Sequence, residues 1–259
     1  VHAIHDWNDL RRRIDPPDRR CYAFFHPALV DDPLIFVEIA FNRDIPGAIA
    51  PILAPERERT ELERARTAVF YSISNCQRGL AGVSFGSFLI KQVVEDLCRD
   101  LPKLTTFVTL SPVPNFASWL ARERADDNSI VLSPDDKAAL AGLDTPDWWR
   151  NETTSEPLRE PLLRAAAWYF LRAKNRRGLP ADSVARFHLG NGARLERLDF
   201  LGDTSERAIK QAHGLMVNYL YDLDDIEKNH EAFAENRTVV ASSSVQRHLR
   251  TVELVPVAG

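Results

Sequence analysis

A glycine-rich stretch that leads into a run of good helix formers is the first feature of this sequence that could do chemistry. It reads "SNCQRGLAGVSFGSFLI" over residues 74–90 and contains Gly79, Gly82 and Gly86. Glycines at the start of a helix leave backbone N–H groups free, and the helix N-terminus carries a partial positive charge. The chemistry that suits this loop is therefore the binding of an anion, most often a phosphate or a pyrophosphate. No acidic residue follows until Glu95, as an anion site requires.

The spacing of the glycines excludes the two commonest nucleotide-binding motifs. A P-loop needs G-x-x-x-x-G-K-[ST], whereas the segment from Gly82 to Gly86 is too short and lacks the lysine. A dinucleotide-binding loop needs G-x-G-x-x-G, which these glycines do not match. The run from Gln77 to Gly82 resembles instead the Q/R-x-x-G-x-G/A pattern with which N-acetyltransferase-like domains hold the pyrophosphate of coenzyme A. A purely conformational role at a sharp turn is the alternative.

The elements that must position this loop follow from the sequence pattern. Two segments rich in aromatic and β-branched residues, "RRCYAFFHP" and "LIFVEIAF", are bounded by turn residues and predict a hairpin. A third strand is predicted over 68–74 and a helix over 84–99. A fourth strand is predicted in "LTTFVTLSP", where Pro112 and Pro114 end it because proline donates no hydrogen bond. Together these elements predict a βαβ-like unit that holds the glycine loop.

The rest of the chain predicts helices around two further strands. Residues from about 116 to 180 are helical in pattern, with Ser133 as an N-cap, and indicate an insertion rather than a separate domain. Strands are predicted again in "VARFHL" and "RLERLDFLG", joined by a turn in which Asn191 and Gly192 tolerate positive φ. From Thr204 onward the pattern predicts a mainly helical segment.

Composition and charge narrow the class of protein. The chain has 259 residues, of which 44% are hydrophobic, enough for a sizeable core. A net charge of −4 argues against nucleic-acid binding, and Arg11, Arg12 and Arg13 are predicted as the solvated face of a helix that begins near Asp6. No apolar run is long enough to span a membrane, so we expect a cytoplasmic location. The cysteines form no C-x-x-C pair, which argues against a metal site.

Several separated blocks of the chain resemble the catalytic domain of the malonyl-CoA decarboxylase family. They are "FYSISNCQRGLAGVSFGSFLIKQVVEDLCRDLPKLTTFVTLSPVPNFASWL", "RRCYAFFHP", "PLLRAAAWYFL", "ARFHLGNGARLERLDFLGD" and "GLMVNYLYDL". The resemblance implies an α/β fold of the N-acetyltransferase-like (GNAT) type, a mixed sheet flanked by helices with a helical insertion between strands. It implies one catalytic domain over residues 1–259, without the helical N-terminal domain of the family.

The resemblance also implies the site residues. In the family, the catalytic serine lies in an S-P-[IV]-P block and the catalytic histidine in an F-H-L-x-N-G-A block, which correspond here to Ser111 and His188. Both are implied to contact the substrate as well. The loop that binds coenzyme A corresponds to Ala81, Gly82, Val83, Ser84, Phe85, Gly86 and Ser87. The family often has glutamate in place of Ser84, so only a backbone contact is implied there.

The implied reaction is the decarboxylation of malonyl-CoA to acetyl-CoA and carbon dioxide by a carboxy-lyase. It needs no cofactor, because the thioester carbonyl accepts the electrons that carbon dioxide leaves behind. His188 is the implied proton donor, since an imidazole with an ordinary pKa of about 6.5 can donate near neutral pH. Ser111 is the assisting, formally proton-accepting partner. His213 and Asn218 are candidates either for lining the pocket or for supporting it.

Two alternatives remain open at the level of sequence. The first is an acyltransferase that moves an acyl group from coenzyme A to an amine, and the second is a non-catalytic acyl-CoA-binding regulatory module. Malonyl-CoA is the expected substrate, with no nucleic-acid or membrane partner and with a role in fatty-acid or malonate metabolism. Assembly into a homo-oligomer is expected for the intact protein.

Overall fold

The computed structural model describes residue 4 and residues 6–29, 31–77 and 86–253. In this part of the chain, seven strands form one mixed sheet against which the helices pack. The strands are β1 (Arg19–Phe25), β2 (Pro33–Asn42), β3 (Thr67–Asn75), β4 (Thr106–Thr109), β5 (Ser111–Pro112), β6 (Arg194–Asp199) and β7 (Met216–Leu220). The helices are α1 (Trp7–Ile14), α2 (Ala50–Leu53), α3 (Gly86–Asp100), α4 (Phe116–Ala125), α5 (Pro134–Leu140), α6 (Glu152–Leu171), α7 (Ser183–Gly190), α8 (Glu206–Ala212), α9 (Ile226–Asn236) and α10 (Ser243–Glu253).

The first half of the sheet has the predicted order. β1 pairs with β2 as an antiparallel hairpin, and β2 pairs antiparallel with β3. β3 then pairs in parallel with β4, with α3 as the connection between them. The hairpin and the βαβ-like unit are therefore confirmed. The mixed sheet flanked by helices that the N-acetyltransferase-like resemblance implies is confirmed as well.

The two parallel strands separate soon after they pair. Their register runs from Thr67 opposite Thr106 to Phe70 opposite Thr109, and one further hydrogen bond joins the Leu110 N–H to the Phe70 carbonyl at 3.1 Å. β3 continues to Asn75, whereas the chain after β4 stays paired with β7 through β5. The pairing between the two parallel strands therefore ends before the carboxyl end of β3, and α3 is the next helix in the chain.

β7 is the strand that the sequence pattern missed. It lies in the segment predicted to be mainly helical, yet it pairs with β4, β5 and β6. Met216, Val217, Asn218 and Tyr219 are each at most 1% exposed. A strand buried on both faces carries no simple alternation of apolar and polar residues, and a short apolar run cannot be told from a buried helix by periodicity.

The segment "VARFHL" was predicted as a strand and is helix α7. The Asp182 side chain caps this helix by accepting a hydrogen bond from the Ala185 N–H at 2.8 Å. A satisfied N-cap of this kind stabilises a helix by about 1 kcal/mol, which overrides the weak strand preference of valine and phenylalanine. The turn that follows therefore joins a helix to β6. Gly192 has the expected positive φ of 80°, whereas Asn191 has a φ of −97°.

The N-cap of α5 and the arginines of α1 were both predicted from the sequence. Ser133 is the N-cap of α5, as predicted, and forms a capping box with Asp136. Arg11 and Arg12 are exposed on α1, as expected for a solvated face. Arg13 is not, since it is 6% exposed and forms an ion pair with Asp9 at 3.2 Å. The prediction for this arginine was wrong because α1 packs against β1.

Gly192 fixes the turn between α7 and β6, and replacing it should destabilise the fold. A Cβ at this position would lie 2.2 Å from the Ile226 carbonyl oxygen, in addition to the strain of a positive φ. Gly178 offers a matched control, because its φ is +72° but no atom lies within 4 Å of its Cβ position. We expect Gly178→Ala to cost about 1–2 kcal/mol in urea unfolding and Gly192→Ala clearly more. Equal losses would mean that the backbone contact is not limiting.

Candidate active site

The structure brings Ser111 and His188 together although they lie 77 positions apart in the sequence. Ser111 Oγ is 3.2 Å from His188 Nε2. The serine lies on β5, just past the point where β3 and β4 separate, and the histidine lies in the last turn of α7. Both side chains are buried, at 5% and 4% exposure. A serine and an imidazole in hydrogen-bond contact can exchange or direct a proton.

The imidazole of His188 is held by two tyrosines. Its Nδ1 atom is 2.8 Å from the Tyr221 hydroxyl. The ring of Tyr219 stacks on it with the ring centroids 4.5 Å apart and an interplanar angle of 24°. Alternate residues of a strand point to the same face, so β7 and the residue after it present both tyrosines to the histidine. The ring orientation that aims Nε2 at Ser111 is therefore fixed from two sides.

Ser111 has a second partner on its own strand. Its hydroxyl donates to Thr109 Oγ1 at 2.9 Å, and the same oxygen accepts a hydrogen bond from the Tyr219 N–H at 3.2 Å. Thr109 is 0% exposed. The four polar side chains of Tyr221, His188, Ser111 and Thr109 thus form one continuous row of hydrogen bonds inside the core.

Burial makes the histidine uncharged. Loss of solvent lowers the pKa of His188 from its ordinary 6.5 to about 3. The expectation that this residue titrates near neutral pH was therefore wrong, because the imidazole lies within the core. Burial also raises the pKa of the Tyr221 hydroxyl above its ordinary value, so the tyrosine keeps its proton. A protonated Tyr221 can donate to Nδ1, and in that arrangement the single imidazole proton is on Nε2, facing Ser111.

Helix α7 is anchored by a buried acid. Asp182 is 1% exposed, caps the helix and accepts a hydrogen bond from the Tyr169 hydroxyl at 3.4 Å. Burial raises the pKa of this carboxyl, and the backbone N–H groups of Ala185 and Val184 partly offset that rise. The helix that carries His188 is therefore fixed at its start by this cap and at its end by Gly192.

The predicted coenzyme A loop lies mostly outside the described residues. This holds for Ala81, Gly82, Val83, Ser84 and Phe85, while Gly86 and Ser87 form the described start of α3. The predicted helix over 84–99 is observed from Gly86 to Asp100. In the run from Gln77 to Gly82, Leu80 stands where the acetyltransferase pattern requires its first glycine. The run therefore has the residue types of that pattern but not its spacing.

His213 and Asn218 take different places. Asn218 lies on β7, and its Nδ2 atom donates to the Thr109 carbonyl at 2.8 Å. This residue therefore supports the site through the backbone of β4. His213 follows α8, where its ring lies 6.5 Å from that of Trp148, and burial lowers its pKa to about 4.

Sequence reasoning gave no role to Thr109, Tyr219 or Tyr221. A signal for each was present. Thr109 precedes Ser111 by two residues in a predicted strand, so the two share a face. Val217, Tyr219 and Tyr221 also follow a period of two, which indicates a strand with both tyrosines on one side. This signal is hard to see because the residues between them do not alternate in burial. Asn218 is polar but buried, and Leu220 is apolar and half-buried.

Two kinds of feature are absent from the described residues. No group of histidine, cysteine, aspartate and glutamate side chains among them could hold a metal ion. None of the helices in this part of the chain is long and apolar enough to cross a membrane.

Comparison with known proteins decides the family. The profile of the "Malonyl-CoA decarboxylase C-terminal domain" family matches residues 1–255. The chain belongs to the malonyl-CoA decarboxylase family. The mitochondrial malonyl-CoA decarboxylase of Anser anser anser is 38% identical over 265 residues, which cover 95% of this chain and 52% of that protein. The rat mitochondrial enzyme is 35% identical, with 95% and 54% covered.

Solved malonyl-CoA decarboxylases have the same fold. The crystal structure from Rhodopseudomonas palustris is 60% identical, has a TM-score of 0.91 and is matched over 95% of this chain and 60% of that chain. The structure from Cupriavidus metallidurans is 41% identical with a TM-score of 0.79, over 95% of this chain and 62% of that chain. The present chain thus spans about half to three fifths of the length of the malonyl-CoA decarboxylases that it matches.

The pKa of His188 gives a prediction for titration and for stability. We expect the imidazole to stay neutral between about pH 5 and 9, and NMR of protein with ¹⁵N-labelled histidine checks this directly. The unfolded chain binds a proton below pH 6.5 and the folded chain only near pH 3. The stability that this group contributes is therefore complete above pH 6.5 and is lost as the pH falls toward 3. A ring titration near pH 6.5 would contradict the buried, uncharged state.

Proposed function

We propose that this chain decarboxylates malonyl-CoA to acetyl-CoA and carbon dioxide, with Ser111 and His188 as its catalytic residues. The observation that carries the proposal is the 3.2 Å contact between Ser111 Oγ and His188 Nε2 at the point where β3 and β4 separate. Membership of the malonyl-CoA decarboxylase family supports the choice of substrate. Action in fatty-acid or malonate metabolism, a cytoplasmic location and a homo-oligomeric assembly remain predictions.

The fold offers a path for the substrate. In sheets with parallel strands, ligands bind beyond the carboxyl ends of the strands, and the opening between β3 and β5 lies at that end. α3 follows β3 in the chain, so its N-terminus is suited to hold the pyrophosphate of coenzyme A, as the sequence predicts for residues 81–87. A pantetheine arm that enters the opening brings the thioester to Ser111.

The proposed reaction breaks one carbon–carbon bond and forms one carbon–hydrogen bond. The bond between the malonyl carboxylate and the α-carbon breaks, carbon dioxide leaves, and its electron pair passes into the thioester to give the enolate of acetyl-CoA. The Nε2–H bond of His188 then breaks and its proton goes to the α-carbon. A proton taken up from the solvent restores the Nε2–H bond after product release, so the net reaction consumes one proton for each carbon dioxide released. The Ser111 hydroxyl is placed to bond the malonyl carboxylate or the thioester oxygen.

An uncharged imidazole is adequate for this proton transfer. The enolate carbon of a thioester is a much stronger base than an imidazole that has lost its proton, so the transfer runs downhill. A neutral imidazole also acts as the electrophile that polarises a carbonyl oxygen in another enzyme fold. Burial also keeps water away from the enolate, so that its proton comes from a fixed position.

The first test measures turnover of malonyl-CoA without any acceptor. We expect acetyl-CoA and carbon dioxide in equal amounts from the wild-type protein, and a loss of kcat of at least about 10²-fold in His188→Ala and in Ser111→Ala. Binding of coenzyme A is expected to persist in both variants, because the loop and α3 are unchanged.

The controls separate this function from its rivals. His26→Ala and Ser118→Ala change an exposed histidine and an exposed serine whose hydrogen bonds go to Ala28 and Asn115, and both should retain turnover. A requirement for an amine acceptor indicates an acyltransferase. Binding without turnover in the wild-type protein indicates a regulatory module. Normal turnover in His188→Ala would falsify the assigned proton donor.

The Tyr221 hydroxyl gives a further prediction. Tyr221→Phe removes the group 2.8 Å from His188 Nδ1 and leaves this buried nitrogen without its donor. The imidazole proton is then free to move to Nδ1, away from Ser111. We expect kcat to fall about tenfold or more with little change in KM, whereas Tyr22→Phe on β1 should have no effect. Unchanged kcat in Tyr221→Phe would show that the tyrosine does not fix the tautomer.

A further inference from the structure

The row of hydrogen bonds around His188 ends at Thr109, where the hydroxyl oxygen acts as the acceptor. Thr109 Oγ1 accepts the Ser111 hydroxyl at 2.9 Å and the Tyr219 N–H at 3.2 Å. A hydroxyl oxygen has two lone pairs, so it can take both donors at once. In this arrangement the Ser111 proton points to Thr109, and the contact between Ser111 Oγ and His188 is then made by a proton on Nε2.

Thr109 is itself held in place from β7. Its carbonyl accepts the Asn218 amide at 2.8 Å, and its hydroxyl takes the Tyr219 N–H, so two successive β7 residues fix one threonine. The residue is 0% exposed and is the last residue of β4. A rigid acceptor at this point leaves the Ser111 hydroxyl little freedom to turn toward the histidine in the resting protein.

We propose that Thr109 is a positioning residue for the reaction, which directs the Ser111 proton away from His188 and thereby holds the His188 proton on Nε2. This inference rests on the proposed decarboxylation through Ser111 and His188. Thr109 acts through Ser111 in this scheme and has no contact with the substrate. A threonine or a serine at this position serves the purpose, whereas valine has the same shape without the acceptor oxygen.

The tautomer of His188 is the direct readout. ¹⁵N chemical shifts of labelled histidine distinguish a proton on Nε2 from a proton on Nδ1. We expect Nε2–H in the wild-type protein and in Thr109→Ser, and a mixture of the two tautomers in Thr109→Val. A purely structural role of Thr109 predicts the same tautomer in every variant that folds. An unchanged tautomer in Thr109→Val would therefore overturn the proposal.

Kinetics supply the second readout through a double-mutant cycle. We expect Thr109→Val to lower kcat about tenfold with KM unchanged, and Thr109→Ser to retain most of the activity. In a Ser111→Ala background, Thr109→Val should cause no further loss, because the serine through which it acts is gone. An equal loss in both backgrounds would mean that Thr109 acts on the fold and not through Ser111.

A variant that fails to fold, a failure of the proposed function and a failure of the role of Thr109 give different results. Thr109→Val leaves the buried Tyr219 N–H without an acceptor, so Thr109→Ala, which is smaller and likewise lacks the hydroxyl, is the second variant if the first does not fold. Normal turnover in both Ser111→Ala and His188→Ala overturns the proposed function as a whole. Impaired turnover in those two variants with normal kcat in Thr109→Ala or Thr109→Val overturns the role of Thr109 alone.

Discussion

The burial of an uncharged imidazole is the constraint on which the rest of the site depends. A histidine with a pKa near 3 carries no charge under ordinary conditions, so a charged partner is not needed to hold it. Its hydrogen-bond partners are the hydroxyls of Ser111 and Tyr221. In a serine hydrolase triad, by contrast, a carboxylate stabilises the imidazolium that forms when the serine loses its proton. A histidine supported by a neutral phenol is better suited to give a proton to a carbanion than to activate a nucleophile.

The fold meets this constraint by placing the site between elements rather than on a loop. Ser111 lies where two paired strands separate, and His188 lies at the end of a helix that is fixed at both termini. Each buried polar atom that lost its partner would cost about 1–3 kcal/mol, so the hydrogen bonds to Tyr221 and Thr109 are structural requirements as well as chemical ones. In the proposed function, the same separation of strands that leaves Ser111 unpaired toward β3 is where the thioester approaches it.

The sequence predicted those parts of the fold that local chemistry decides. The hairpin followed from aromatic and β-branched residues between turns, and the cap at Ser133 followed from one hydroxyl at a helix start. The parts it missed depend on distant contacts. "VARFHL" has strand propensity but folds as a helix because Asp182 caps it, and β7 is recognisable only from the strands on either side of it. Ser111 and His188 were placed by family resemblance, since no local pattern indicates that residues so far apart meet.

The direction of the hydrogen bonds could not be derived from sequence by any of these routes. Residue types at Thr109, Ser111 and Tyr221 each allow donation and acceptance, so the order depends on which backbone groups have already used the lone pairs. The Tyr219 N–H bears on this order at Thr109, because it occupies one lone pair and leaves the other for Ser111. In the proposed scheme, a backbone contact on β7 thus helps to decide on which nitrogen a histidine of α7 carries its proton. The proposed chemistry requires that nitrogen to be Nε2, so the register of β7 against β4 is part of the active site.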